Sequence, residues 1–464
     1  MHVDRWFRSL FRQTGLTLLV VWFLPAARGE DLQEAWRLAL ACNQELRSSR
    51  QSAEASGFDL AAARAERMPK VQSLTGETYL FQPLSLTGFS SGGSGTGTGS
   101  GSSRGQGVSQ SDFTFSVVAA TLPIYSGGRV RHTIEANHAQ VNAARADACR
   151  TTLDVKIDVA RSYVGVLRAG HALALARSNV QSLSAHARDV GNLVEQGRAI
   201  RNDLLAAQVA LANARQREIL SRNQLAIAWA TYNRYLNRPL EMTVPLRDLS
   251  VPVPARDPAD LAAEAIRAEA KPLDEQEVSG LIDRALHVRP ELISLTEQVR
   301  AFDAKAAAEL AAFKPQASLV VANIYQNARF LPSTTQENGA AGVLLNWTLF
   351  DGGRARRKSL AQERRGMSAV SQRADLAAAI ALQVRSAWLN TQETRLRIPV
   401  TRAAIVQGNE NLRVARNRYL QQRGTNTEVL DAENLRIQAY DNFYNATYDA
   451  VLADFELHRA IGDL

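Results

Sequence analysis

The chain is poor in the residues that support catalytic, metal or disulfide-based structures. It has only two cysteines, Cys42 and Cys149, among 464 residues, which excludes a disulfide-rich scaffold and a four-cysteine zinc site. Its seven histidines are scattered, without His-Glu-x-x-His or cysteine/histidine zinc spacing. We therefore expect no enzyme activity, no cofactor and no metal.

Long apolar runs are also absent after the first 30 residues, where none reaches 18 residues. That length is what a membrane-spanning helix requires, so we expect none in this part. The beginning of the chain differs: Arg5, Arg8 and Arg12 precede an apolar run over 16–24, with Ala27 and Gly29 after it. This pattern predicts a secretory signal over 1–29 that is removed before Glu30, although a membrane anchor is the alternative.

The net charge is +8, but arginines alternate with acids along predicted helices and do not form basic clusters typical of nucleic-acid binding. Together with export, this indicates no nucleic-acid partner. The 45% apolar content excludes wholesale disorder.

The sequence contains an internal duplication. Residues 31–124 reappear from about 277 at an offset of 246, and 123–236 reappear as 348–461 at an offset of 225. The 21-residue difference equals the length of a Gly/Ser tract, 87–107, found only in the first copy. Such duplication fixes the architecture. Aligned pairs include Glu45 with Glu291, Gly127-Gly128-Arg129 with Gly352-Gly353-Arg354, Asp203 with Glu428, and Arg234 with Arg459.

Hydrophobic periodicity and proline positions divide the chain into two repeats, 30–237 and 277–464, joined by a proline-rich linker over 238–276 with a short helix near 259–270. The predicted fold class is mainly α with a small β part, built from a duplicated helix–strand–strand–helix–helix unit. Strands are expected at about 70–82, 111–124, 316–326 and 341–350, a solvated loop at 87–107, and long helices at about 130–190, 203–236, 354–421 and 427–461.

Two adjacent glycines follow the second strand of each repeat. We interpret Gly127, Gly128, Gly352 and Gly353 as turns from strand into helix, where a side chain would clash. No Gly-Lys-Ser/Thr follows either pair, so a phosphate-binding loop is excluded.

The predicted strands match the length that crosses a bilayer at a tilt. Four strands alone would leave two edges of unpaired backbone groups in lipid, each costing several kcal/mol. Small bacterial single-chain barrels have about eight strands, so several copies must share one barrel. Three copies would close 12 strands, although this reasoning does not itself select three.

The ordered set of features resembles the TolC-type outer-membrane efflux factors. It comprises the signal, the duplicated unit, the turns YSGGR and FDGGR, the segments NLVEQGRAIRNDLLAAQ and RYLQQRGTNTEVLDAEN, and the closing HRAIGDL. The resemblance implies a homotrimer, a 12-stranded barrel in the outer membrane of a Gram-negative bacterium and a helical tunnel in the periplasm. It also implies a periplasmic adaptor and an inner-membrane pump of RND or ABC type, as in efflux or type I secretion.

The resemblance also implies a periplasmic gate at the helical tips. Its gate aspartate falls on Asp203, its tyrosine partner on Tyr419, and two acidic ring positions on Glu428 and Asp431. The gate arginine of some members falls on Gly424, with Arg423 beside it as a candidate substitute, and one tip glycine is replaced by Gln422.

Each of these residues has a structural alternative. Inward carboxylates at Glu428 and Asp431 would be tripled by a three-fold axis and would attract cations, but both also suit the start of a helix. Asp203 equally fits a helix cap, and Tyr419 fits seam packing.

The two cysteines fall at similar distances from the predicted strands along neighbouring antiparallel helices. The axial separation would be about 6 Å, and the periplasm is oxidising. We hypothesise a Cys42–Cys149 disulfide, with two free thiols as the alternative.

The function predicted from these patterns is a passive export channel of a tripartite efflux or type I secretion system. A periplasmic coiled-coil adaptor without membrane strands is the alternative. The excess of helix over strand disfavours a self-contained porin. The sequence does not identify the cargo.

Overall fold

The structure is a computed structural model that describes residues 29–85, 109–249, 275–327 and 335–464. The predicted signal, the 87–107 loop and the short helix at 259–270 lie outside these residues. No helix in the described ranges is both long and apolar enough to cross a bilayer.

The described elements follow the predicted duplicated order, and the mainly α fold class with a small sheet is confirmed. The first repeat contains α1 (Leu32–Cys42), α2 (Gln44–Ala65), β1 (Lys70–Ser85), β2 (Ser109–Tyr125), α3 (Arg129–Glu195) and α4 (Arg201–Tyr235). The second contains α5 (Glu275–Val288), α6 (Pro290–Leu310), a 3-10 turn (Ala311–Phe313), β3 (Gln316–Asn327), β4 (Thr335–Asn346), α7 (Arg354–Leu420) and α8 (Asn426–Ile461).

The structure differs from the expected elements in three places. The first helix of each repeat is broken, at Asn43 and at Arg289, where the backbone is extended. The Asn43 side chain caps the next helix by accepting from two backbone N–H groups, and Pro290 disfavours helical geometry at Arg289. The fourth strand was expected at 341–350 but runs over Thr335–Asn346, so residues 347–350 lie beyond it.

Two helices dominate the molecule. Helices α3 and α7 each have 67 residues, which corresponds to about 100 Å at 1.5 Å per residue. Helix α7 continues through Pro399. Helix α3 packs against α2, α4 and α6, and α7 packs against α6 and α8. The two repeats therefore meet along the α3–α6 contact and along a contact between α3 and α8.

The four strands form one antiparallel sheet in the order β1-β2-β3-β4. The central β2–β3 pair joins the two repeats, with Ala119 opposite Ala322. Strands β1 and β4 are at the edges.

The core is divided into clusters along the helices. The largest described cluster surrounds Tyr163 and Tyr232, both fully buried. Tyr163 donates to the backbone carbonyl of Glu30 or Arg247, at 2.8 and 2.6 Å, and Tyr232 donates to the Glu30 carboxylate at 2.7 Å. These contacts attach the beginning of the described chain to the middle of α3 and to the end of α4.

The strand-to-helix turns of the two repeats should respond differently to the same substitution. Gly127 and Gly352 have φ of +65° and +69°, so alanine strains either backbone by about 1–2 kcal/mol. A Cβ at Gly127 would also lie 2.6 Å from Lys314 Cβ, whereas nothing lies within 4 Å of one at Gly352.

We therefore expect Gly127→Ala to lower the free energy of unfolding by about 1–3 kcal/mol more than Gly352→Ala. Denaturant melts of the two variants measure this difference. Equal losses would contradict the close approach of Lys314.

Candidate functional site

The turns of the two long hairpins lie together at the end of the molecule opposite the sheet. Gln422 Nε2 donates to the Arg198 carbonyl oxygen at 3.2 Å, which joins the α7–α8 turn to the α3–α4 turn. Beneath the turns, one apolar cluster combines Leu193, Ala207 and Val429 from three helices. Both turns use a residue with positive φ, Gly197 and Gln422. The sequence-predicted tip is thus assembled within one chain.

Asp203 and Tyr419, the predicted gate pair, are neighbours across this tip. The Tyr419 side chain is buried, and its hydroxyl lacks a well-formed hydrogen bond among the described residues. Burial raises the pKa of Tyr419, and the nearby Asp203 carboxylate raises it further. The hydroxyl is therefore neutral at physiological pH and available as a donor.

Two residues that the sequence analysis missed connect the hairpins more directly. His186 Nε2 lies 2.7 Å from Asn426 Oδ1, and Asn426 Nδ2 donates to the Asp203 carbonyl oxygen at 3.1 Å. Because an amide oxygen only accepts, His186 Nε2 carries the proton. Burial lowers the pKa of His186, so this buried ring is neutral at pH 7. Its 5.6 Å edge contact with Tyr419 completes the cluster.

A pattern in the sequence could have identified His186 as an interior residue. Leu183, His186, Val190 and Leu193 step by three, four and three residues, which is the spacing of a packed helical seam. No comparable pattern marks Asn426, because its role depends on where the second hairpin lies.

A buried carboxylate links the same hairpins slightly further from the tips. Glu433 is 2% exposed and accepts from Arg436 at 2.6 Å and from Ser182 of α3 at 3.0 Å. The buried charge is thus paired and hydrogen-bonded, as burial of a carboxylate requires.

The predicted acidic ring residues do not join this cluster. Glu428 and Asp431 are both exposed, one turn apart on α8. The Glu428 backbone N–H donates to the Thr425 side chain at 3.3 Å, and its carboxylate lies 3.7 Å from Arg418. Arg423 is exposed, and its main chain contacts Arg418. The tip therefore has a buried hydrogen-bonded link between the hairpins, and Glu428 and Asp431 lie outside it on the exposed surface.

The hypothesised disulfide is not formed, because Cys42 and Cys149 are both free and exposed. Cys42 and Asn237 line one cavity, whereas Cys149 and Pro290 line another. The residue count from the strands predicted similar axial positions for the two cysteines along their helices. It carried no information about which side of its helix each thiol faces.

The sheet has two chemically different faces near its helical end. Residues paired directly across neighbouring strands lie on the same face of the sheet. One face carries the paired residues Val71, Ala120 and Val321 and, two residues further along the strands, the pair Leu319 and Val343. Val71, Val321 and Val343 are 70%, 48% and 66% exposed. The opposite face has Lys70, Gln72, Thr121, Gln316, Ser318 and Asn346 in this region, together with the apolar Val320 and Leu344. An exposed apolar face opposite a more polar one is typical of a strand between lipid and a water-filled lumen.

The comparisons with known proteins agree with this architecture. The family model described as "Outer membrane efflux protein" matches residues 35–238 and 281–463, which are most of the two repeats. No curated protein sequence matches the chain.

Solved structures show the same fold at low sequence identity. The Campylobacter jejuni CmeC outer membrane channel matches with a TM-score of 0.74 and 14% identity, over 94% of this chain and 86% of that one. The Vibrio cholerae outer membrane protein VceC gives 0.71 and 16%, over 93% and 96%. The open state of the Neisseria gonorrhoeae MtrE outer membrane channel gives 0.69 and 17%, over 93% and 88%.

Proposed function

Since the chain belongs to the outer membrane efflux protein family and is an outer-membrane efflux channel with a periplasmic part, we propose that three copies form one continuous passive duct. Their strands close a 12-stranded barrel in the outer membrane, and their helices form a tunnel through the periplasm. Residues 1–29 act as the signal that is removed during export.

The open sheet is the observation that supports this proposal most directly. Its edge strands β1 and β4 pair on only one side among the described residues, and unpaired backbone groups in lipid cost several kcal/mol each. A single sheet of four strands is too small to close by itself. Heterologous contacts around a three-fold axis would pair every edge with the next copy.

The helical end of the duct docks with a periplasmic adaptor, which connects it to an inner-membrane pump of RND or ABC type. The duct carries out no chemistry, so the pump supplies the energy and selects the cargo. Outer-membrane lipid surrounds the apolar face of the sheet.

The tips act as the periplasmic gate. The Asp203–Tyr419 pair and the buried His186–Asn426 hydrogen bond hold the hairpins of each protomer together. Glu428 and Asp431, exposed in the single chain, form an acidic ring at the constriction once three copies meet, with Arg423 as a candidate countercharge. Opening of the gate separates the hairpins of the three protomers.

A matched pair of substitutions on the edge strand tests the membrane proposal. Val343 and Leu344 are adjacent and similarly exposed, 66% and 61%, but lie on opposite faces of β4. Arginine on a lipid face costs about 2–4 kcal/mol near the bilayer midplane, whereas a lumen position tolerates it.

We expect Val343→Arg to reduce the amount of trimer in the outer-membrane fraction and Leu344→Arg to leave it near the wild-type level. Cross-linking of that fraction measures the trimer, and planar bilayers measure its conductance. A wild-type protein that is a water-soluble monomer without channel activity would refute the proposal.

A further inference from the structure

The beginning of α7 departs from the general alternation of arginines with acids along the helices, because it carries a concentration of positive charge. Residues 354–373 include seven basic residues and one acid, Glu363. Five of the basic residues occupy one side of the helix, away from the buried Ala355, Ser359 and Gly366. We call this set the basic face: Arg354, Arg357, Lys358, Arg364 and Arg365, all exposed.

The duplicated helix shows that the fold does not require this charge. At the offset of 225, Arg357, Lys358, Arg364 and Arg365 correspond to His132, Thr133, Ala139 and Gln140 of α3. Only Arg354 has a basic counterpart, Arg129, and that residue is paired with Glu66 at 3.1 Å. Helix α3 adopts the same length and position without a basic face.

The charge of the basic face is largely unneutralised within the chain. Arg354, Arg357 and Arg365 form no ion pair in the described ranges, and Lys358 reaches Glu309 only at 3.9 Å. Burial lowers the pKa of Lys305 on the neighbouring helix α6, and the charge of Arg365 lowers it further. A local excess of positive charge remains for an anionic partner outside the protomer.

The basic face lies directly below the membrane-facing part of the chain. Trp347, Leu349 and Phe350, between β4 and α7, are 56%, 75% and 86% exposed, and exposed aromatic residues at strand ends are typical of the membrane–water interface. The face begins four residues later and extends about 17 Å along the helix. Helical side chains tilt toward the N-terminus, here toward the sheet, and long cationic side chains extend their charges toward the interface.

We propose that the basic face binds the phosphate groups of anionic phospholipids in the membrane leaflet on the helical side of the sheet. This inference rests on the proposed function, because it requires the sheet to lie in the bilayer. Charge complementarity selects the partner: the leaflet offers a dense layer of phosphates at the level of the exposed aromatic residues, and phosphates form charge-assisted hydrogen bonds with guanidinium groups.

The test compares two triple variants with equal loss of charge. The first combines Arg354→Gln, Arg357→Gln and Arg365→Gln. The control, nearer the tips, combines Arg201→Gln, Arg215→Gln and Arg217→Gln. The control residues are exposed on α4 and form no ion pair with any described residue. Trimers are reconstituted with equal phosphatidylglycerol and phosphatidylcholine, and native mass spectrometry measures the lipids retained. Surface basic residues typically contribute about fivefold each to binding an anionic membrane.

We expect wild-type and control proteins to retain phosphatidylglycerol preferentially and 0.5 M salt to weaken this preference. The triple variant of the basic face should bind phosphatidylglycerol on the order of 100-fold more weakly, and the corresponding Arg→Lys triple should keep most of the binding. Bilayer conductance reports the proposed function separately.

A conducting wild-type trimer with no preference for phosphatidylglycerol would overturn this inference and leave the duct intact. Dissociation of trimers by the triple substitution, with no lipid preference in the wild type, would assign the basic face to a neighbouring copy. A wild type that neither inserts nor conducts would refute the proposed function first.

Discussion

Replacement of Arg459 with methionine is expected to lower the free energy of unfolding by about 2–4 kcal/mol, since hydrogen bonds to charged groups contribute about 1.5–3 kcal/mol each. Arg459 lies on α8, and its Nη2 contacts Asp154 of α3 at 2.5 Å and Glu291 of α6 at 2.9 Å. Arg289 also pairs with Glu291, at 2.7 Å. The side chains of Arg289, Glu291 and Arg459 are only 6%, 12% and 13% exposed. The substitution therefore removes one of the two guanidinium groups that bind the Glu291 carboxylate and also removes the partner of Asp154.

The duplication supplies a matched control for this prediction. Arg234 and Glu45 occupy the corresponding positions of the first repeat, and both are exposed. Arg234 forms no ion pair with any residue that the structure describes, and its guanidinium group lies 5.8 Å from the centre of the Tyr235 ring. Arg234→Met should therefore cost less than about 1 kcal/mol. Denaturant titration of both variants measures the difference, and similar losses at the two positions would contradict the importance of the buried cluster.

The same cluster predicts a dependence on pH. Burial alone would raise the pKa of Glu291, but hydrogen bonds from Arg289 and Arg459 outweigh it and hold the pKa at about 2 instead of 4.5. A carboxylate with a lowered pKa in the folded state stabilises the protein above its unfolded pKa, and this contribution is lost as the pH falls. The loss should occur between about pH 4.5 and 2, and Glu291→Gln should remove this part of the pH dependence of unfolding.

Neutralisation of Glu428 and Asp431 together is expected to weaken divalent-cation block of the open channel by at least about fivefold. In the proposed trimer the double substitution would remove six carboxylates from the proposed constriction, and a single unit charge about 4 Å away contributes about 1 kcal/mol even in water. Rings of carboxylates at a constriction favour cations, so the cation preference of the current should also fall. Planar-bilayer recordings with Glu428→Gln and Asp431→Asn measure both quantities.

An equal charge change far from the tips controls for general electrostatic effects. Glu54 and Asp375 are exposed on α2 and α7, and neither forms an ion pair among the residues described. Glu54→Gln with Asp375→Asn should leave cation block within about twofold of wild type, since charges beyond a Debye length are screened. Unchanged block in the tip variant would show that Glu428 and Asp431 act only at the start of α8.

Local sequence patterns were sufficient for the architecture. The two offsets, the Gly-Gly turns and the alternating strand segments predicted the duplicated helix–strand–strand–helix–helix order, and the resemblance to outer-membrane efflux factors is confirmed by the family match. These features depend on periodicity and backbone conformation, which neighbouring residues determine. The end of β4 was misplaced because Trp347 and Leu349 continue the alternation after strand pairing stops.

Only the tertiary structure decided which side chains meet. Residue counts placed Cys42 and Cys149 at similar heights, but the side that each thiol faces depends on how the helices pack. His186 joins Asn426 across 240 residues of sequence. The side chains of Glu291 and Arg459 are largely buried although their counterparts Glu45 and Arg234 are exposed. The sequence by itself determined the repeated unit, because helix and strand periodicity is local. Packing between segments that are distant in sequence decided the buried His186–Asn426 link and the pairing of Glu291 with Arg459. No local sequence pattern predicts such contacts.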